Sequence, residues 1–166
     1  MNNEKFMKIA LQQAAAALEE NEFPVGCVLV MDGRVVASGK RSHTFTTVNE
    51  MDHAEIRALR AMLDADTAID PQSITVYSTM EPCLMCFSTL LVNGVRNFVY
   101  SYEDAMGGGT NLPLEQLSAL YKDLRIQITG GVLRSQSLAL FKSYFTSPET
   151  SYLRDTFLAE YTINQP

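Results

Sequence analysis

The chain has 166 residues, long enough for one domain with a sizeable core. Hydrophobic residues make up 46% and charged residues 19%, an ordinary balance for a globular protein, and no apolar run approaches the length of a membrane span. The net charge of −6 gives no general pull toward nucleic acid and counts against a nucleic-acid partner without excluding one.

Residues 3–21 are predicted to form a helix, with Phe6, Ile9, Ala10, Ala14, Ala17 and Leu18 at helical spacing in an alanine-rich run that Pro24 stops. Val25 to Met31 and Arg34 to Ala37 read as two strands. The Asp32-Gly33 pair between them signals a tight antiparallel hairpin. A polar, irregular stretch over 40–52 precedes a helix over about 54–63, whose buried face is expected to hold Ile56, Ala58, Leu59 and Leu63. A strand over 74–78 follows. A helix is then expected to open at Pro82, run to about Leu91 and end at Asn93-Gly94. Residues 97–100 read as a strand and Gly107-Gly108-Gly109 as a mobile or tightly turned loop. Beyond it we expect a short helix near 113–121, a strand near 125–129 and a helix near 132–145. A last helix is expected near 148–160, with Ser147 as its cap and Pro148 in its first turn. Alternating strands and helices argue a layered α/β domain, and the early hairpin makes its sheet mixed. No repeat, low-complexity tract or linker divides the chain, so one domain over 1–166 is expected.

Two short clusters, thirty positions apart, carry the chemistry: His53-Ala54-Glu55 and Pro82-Cys83-Leu84-Met85-Cys86. Cys83 and Cys86, three apart on one helical face, can reach one metal, and a helix N-terminus favours thiolate over thiol. His53 precedes a helix in the same way. One imidazole and two thiolates are three ligands for Zn2+, and three protein ligands leave the fourth tetrahedral position open, as in catalytic rather than structural sites. Glu55 lies within the next helical turn, on a different vector from His53, so it should stand beside the metal as a general acid and base. A C-x-x-C alone could be a redox pair, and an H-x-E alone is a common surface pair; the two clusters together are far more specific. Cys27, in an apolar strand, is expected to fill core, and His43 to be a solvated loop residue. An odd number of cysteines, two of them in C-x-x-C, suits a thiol-reducing compartment. The first six residues lack a basic stretch followed by an apolar run, so no signal peptide is evident and the cytoplasm is the expected location.

H-x-E followed by P-C-x-x-C is the signature of zinc deaminases. On these motifs the chain resembles the cytidine deaminase-like superfamily, nearest its tRNA adenosine deaminase and guanine deaminase branch. Pro24-Val25-Gly26-Cys27-Val28-Leu29-Val30 and Glu103-Asp104-Ala105 add to the likeness, which covers about residues 5–145 and leaves the helix near 148–160 as an addition. The resemblance implies a three-layer α/β/α sandwich around a five-stranded mixed sheet, and homodimers or larger oligomers. It implies a hydrolytic enzyme in which zinc hydroxide attacks the amidine carbon of a base and ammonia leaves. It implies that His53, Cys83 and Cys86 bind Zn2+ and that Glu55 shuttles protons. Val25 would line the pocket, the main-chain N–H groups of Ala54 and Cys83 would lie near the attacked carbon, and Asp104 falls where some relatives contact a purine. Three features depart from the pattern: Arg41 where relatives on nucleosides or tRNA often carry a substrate-contacting Asn, Phe87 where many have a small residue, and a C-terminal helix that is not strongly basic.

The expected partner is therefore a small-molecule nucleobase or nucleoside, first a free purine-type base such as guanine. A tRNA adenosine deaminase acting at the wobble position is the alternative. A cytidine or deoxycytidylate deaminase and a non-catalytic zinc scaffold complete the set. The intact Glu55 argues against the scaffold, because a structural site gains nothing from an acid that is not a ligand.

Overall fold

The computed structural model describes residues 2–65 and 69–166. Its centre is the expected five-stranded mixed sheet, in the order β2-β1-β3-β4-β5. β1 (Gly26–Met31) pairs antiparallel with β2 (Arg34–Lys40) and with β3 (Thr75–Met80). β3, β4 (Asn97–Tyr102) and β5 (Gln127–Thr129) run parallel. The β1–β2 turn is the predicted Asp32-Gly33, with φ of 50° and 75°, the pair of left-handed residues that matches the twist of a two-residue hairpin.

Strand alternation explains why both faces are covered. Val28, Val30, Tyr77 and Val99 point one way, into a cluster with Phe6, Met7, Ala10 and Leu11 of α1 (Asn3–Glu19). Cys27, Leu29, Val76 and Phe98 point the other way, toward Ala54, Ala58, Leu59 and Met62 of α2 (Ala54–Asp64) and Phe87 and Leu90 of α3 (Leu84–Val92). α4 (Arg134–Thr146) gives Leu140 to the first cluster and Leu138, Phe141 and Tyr144 to the second. Cys27 is core, as expected.

Four details differ from the sequence reading. Met62, and not Leu63, completes the buried stripe of α2: helical spacing from Ala58 and Leu59 falls on 62, and Leu63 stands exposed. Pro82 lies outside α3, whose N-cap is Cys83. The segment near 113–121 holds one 3-10 turn, Leu114–Gln116, because only Leu114 is buried there and so short a piece has no packed face to hold a helix. The last helix, α5, is Phe157–Asn164, capped by Thr156 and not Ser147. Residues 147–156 instead form turns, in which Thr150 Oγ1 donates to Tyr144 O at 2.6 Å and Leu153 takes φ 59°. Of the two forms expected for Gly107–Gly109, the tight turn is the one found: a Cβ on Gly109 would stand 2.6 Å from Leu84 N and 2.8 Å from Cys83 C. No helix among the described residues is long and apolar enough to cross a membrane.

Candidate active site

Because β1 runs against β3 and β4, the start of β1, the end of β2 and the carboxyl ends of β3 and β4 lie on one edge of the sheet. The helices that follow β2 and β3 begin there, α2 after His53 and α3 after Cys83. Both cap residues are extended (ψ 149° and 170°) and neither uses its side chain to cap. Their carbonyls open the helices instead, accepting from Arg57 N at 3.0 Å and Phe87 N at 2.8 Å, which leaves imidazole and thiolate free to converge.

They do converge. His53 Nδ1 lies 3.6 Å from Cys83 Sγ and 3.4 Å from Cys86 Sγ, and the three donor atoms fall within 4.8 Å of one another. A tetrahedral ion with bonds of about 2.3 Å to sulfur and about 2.0–2.1 Å to nitrogen separates N from S by roughly 3.5 Å. The donor set therefore fits Zn2+ in both chemistry and spacing. Cys83 is pulled down to about 4, first by the hydrogen bond with Cys86 and then by that with His53, against the cost of burial. The same pairing raises its partner Cys86, to which burial and the Glu55 charge add. Burial pushes His53 down, but its bond to Cys83 and the charges of Glu55 and Cys83 outweigh it, so the imidazole is raised overall.

Glu55 is only 3% exposed. Ser78 Oγ of β3 donates to its Oε1 at 3.0 Å, and its Oε2 stands 3.5 Å from Cys86 Sγ. Burial lifts the carboxyl above the usual range, against the opposing pull of His53 and the Ser78 bond. A buried carboxyl of raised pKa beside three metal donors is a group placed to take and return a proton.

These groups open into a cavity of about 170 Å3, walled by Phe23, Val25, Arg41, Ala54, Met80 and Glu81 among others. All four residues expected at the substrate, Val25, Arg41, Ala54 and Asp104, line it, and His43 does not. His43 is the expected loop residue, its Nδ1 2.6 Å from Asp52 Oδ2. Asp104 is half-buried, and its Oδ1 accepts from Met106 N (3.0 Å) and Gly107 N (2.8 Å). Arg41 is 2% exposed and already engaged: its Nη1 donates to Asn49 O (2.8 Å) and its Nη2 to Glu50 Oε2 (2.9 Å).

Several wall residues escape a reading of the sequence. Glu81 accepts from Asp104 N and Thr110 N, fastening the 104–110 loop beside α3. Its place in Glu81-Pro82-Cys83 was a usable signal. Glu50, which pairs with Arg41 but does not itself line the cavity, lies in a stretch without periodicity. Tyr152, Leu153 and Leu158 reach the cavity from the C-terminal segment, and nothing local announces that return.

Residues 1–102 match the family model described as the cytidine and deoxycytidylate deaminase zinc-binding region. The chain is 32% identical over 141 residues to a tRNA-specific adenosine deaminase of Agrobacterium fabrum, covering 84% of this chain and 91% of that one. It is 28% identical over 145 residues to a tRNA-specific adenosine deaminase of Bacillus subtilis, covering 86% and 88%. Among solved structures, a chain from a study of A-to-I editing by tRNA:A34 deaminases superposes with a TM-score of 0.65 at 30% identity, over 76% of this chain and 97% of that one. The guanine deaminase from Nitrosomonas europaea shares the fold, with a TM-score of 0.67 at 23% identity, over 85% and 83%.

Proposed function

This chain belongs to the cytidine and deoxycytidylate deaminase zinc-binding family, and on that premise we propose that its substrate is an adenosine presented by a tRNA. Family membership makes it a zinc-dependent hydrolytic deaminase: water replaces an exocyclic amine and ammonia leaves. The choice of tRNA reverses the order of preference drawn from the sequence. Bulk charge argued against it, but the curated relatives described above are tRNA-specific adenosine deaminases. Net charge is a poor guide here because one local rim can hold a flipped base whatever the total.

The observation that carries the reading is the meeting of His53 Nδ1, Cys83 Sγ and Cys86 Sγ beside a buried acid that is not one of them. We assign the three as metal ligands. Bound zinc supplies a Lewis acid that lowers the pKa of water to about 7. Glu55 would carry both protons of the attacking water in turn, the first to the ring nitrogen and the second, from the hydroxyl of the adduct, to the departing amine, a role worth about 10²–10⁴ in rate. The main-chain N–H groups that open α2 and α3 lack intrahelical partners and can steady charge at the attacked carbon. Val25 and Phe23 give the base an apolar wall, and Asp104 an acceptor at its edge.

A free purine base such as guanine is the second reading, favoured by the way Tyr152, Leu153 and Leu158 narrow the cavity. Three free cysteines suit a cytoplasmic protein. Exposed Leu84, Val92 and Leu120 suit a homodimer. The test is incubation of the zinc-loaded protein with tRNA transcripts bearing a wobble adenosine and, separately, with adenine, guanine, cytosine and their nucleosides. Inosine in the tRNA supports the first reading. Ammonia from guanine alone transfers the assignment to the second, and no release from any substrate removes both.

A further inference from the structure

His53 has two ring nitrogens with different neighbours. Nδ1 faces the sulfurs, and Nε2 lies 3.3 Å from Oε2 of Glu50, three residues earlier. Glu50 is itself gripped on both oxygens. Arg41 Nη2 donates to Oε2 at 2.9 Å, while Tyr152 OH reaches Oε1 at 3.1 Å and Oε2 at 2.9 Å. Arg41 lies with its guanidinium 5.5 Å from the centre of the Tyr152 ring. The carboxylate is thus clamped between a buried cation at the end of β2 and a phenol more than a hundred residues further on, although its side chain is 59% exposed.

A histidine that holds a metal through one nitrogen keeps its ring angle and tautomer by donating the other N–H, and a carboxylate is a common acceptor. Glu50 occupies that place, and its own clamp makes it a fixed acceptor rather than a wandering surface acid. We propose that Glu50 is the positioning residue of the metal centre and that Arg41 and Tyr152 hold it there, so that docking of the C-terminal segment sets zinc affinity. This rests on His53 being a ligand. It gives Arg41 a task other than contact with substrate, and it gives the turns over 147–156 a task besides packing.

The experiment is chelator competition for zinc on the full chain. It compares wild type with His53→Ala, Glu50→Ala, Glu50→Gln and Tyr152→Phe, with thermal melting of each metal-free protein alongside. Glu50→Ala is expected to weaken zinc binding by about 10–100-fold, and also to lower the metal-free melting point, because the buried Arg41 guanidinium loses its carboxylate partner. Glu50→Gln keeps an oxygen acceptor and should restore most of the affinity. Tyr152→Phe should lose less than Glu50→Ala, in the same direction. A merely structural Glu50 would lower the metal-free melting point and leave zinc affinity unmoved in both Glu50 variants. Zinc affinity within twofold of wild type in Glu50→Ala overturns the inference while leaving His53 a ligand. Wild-type affinity in His53→Ala removes the ligand assignment and the inference with it.

Discussion

Glu55 and Cys86 nearly touch, yet they are assigned different tasks, and a substitution that keeps shape while deleting charge separates them. Glu55→Gln preserves the packing and the acceptor oxygen for Ser78. It removes the base, so turnover should fall by about 10²–10⁴ while zinc content stays at the wild-type level, read by ammonia release and elemental analysis. Loss of the metal would show instead that the carboxylate is a ligand. His53, Glu55, Cys83 and Cys86 were legible in the sequence because each cluster is local: spacing along one helix start decides which vectors share a point. Glu50 and Tyr152 were not legible. Their roles come from a contact that closes 102 positions of chain, and no periodicity encodes it.

At the scale of the element, the approach of the 104–110 loop to α3 is set by backbone. Gly109 N donates to Pro82 O at 2.9 Å, and Cys83 pairs with Gly108 in an isolated bridge. Any side chain at 109 would meet the main chain of residues 83 and 84, which flexible neighbours cannot relieve. Gly109→Ala should therefore displace the start of α3 and loosen zinc binding more than it lowers the melting point. Equal affinity in the variant would show that the loop can yield. The C-terminal helix has its own tether. Arg134 Nε donates to Glu103 Oε2 at 2.8 Å, and Tyr161 OH of α5 to Glu103 Oε1 at 2.8 Å. Chiefly through the Arg134 bond, Glu103 is held below the usual carboxylate range. A depressed folded-state pKa contributes stability above the unfolded value, about 4.3, and that contribution fades as pH falls through the folded one. Both partners are about a third exposed, so the gain is about 1 kcal/mol or less. Urea unfolding of wild type and Glu103→Gln should show a gap at pH 7 that narrows as pH falls below about 4.3. The helix at 148–160 was misplaced for a related reason: Ser147-Pro148-Glu149 is a good local start signal, but hydrogen bonds from Thr150 to Tyr144 O and from Arg154 to the O of Ser147, the C-cap of α4, claim those residues for turns.

At the scale of the whole molecule, core and cavity wall are one structure. Phe23, between α1 and β1, packs its ring against Phe141, Tyr144 and Phe145 of α4 and against Tyr152, with centroids 5.2, 5.2, 5.9 and 5.6 Å away. It also lines the cavity. The strands, the first hairpin and most of the helices could be read from alternation and turn residues, since those patterns are short-range, whereas the five-stranded, three-layer arrangement followed from the family resemblance and the strand order from the structure alone. The aromatic meeting could not be read from the sequence, because it joins residues 23, 141–145 and 152 through the closed fold. Removing a buried aromatic side chain costs about 3–5 kcal/mol, part of it for the space left behind. Phe23→Ala should lose stability on that scale in urea unfolding. It should also release Tyr152, and through Tyr152 the hold on Glu50, so zinc affinity should fall in the same variant. Phe23→Leu, which refills most of the volume, should recover much of the stability. If Tyr152 is positioned by its ring contact with Phe23, Phe23→Leu will still bind zinc less tightly than wild type, because an aliphatic side chain gives no edge for the phenol to pack against. If zinc affinity instead returns in step with stability, then volume alone seats the C-terminal segment, and the aromatic geometry has no separate influence on the metal centre.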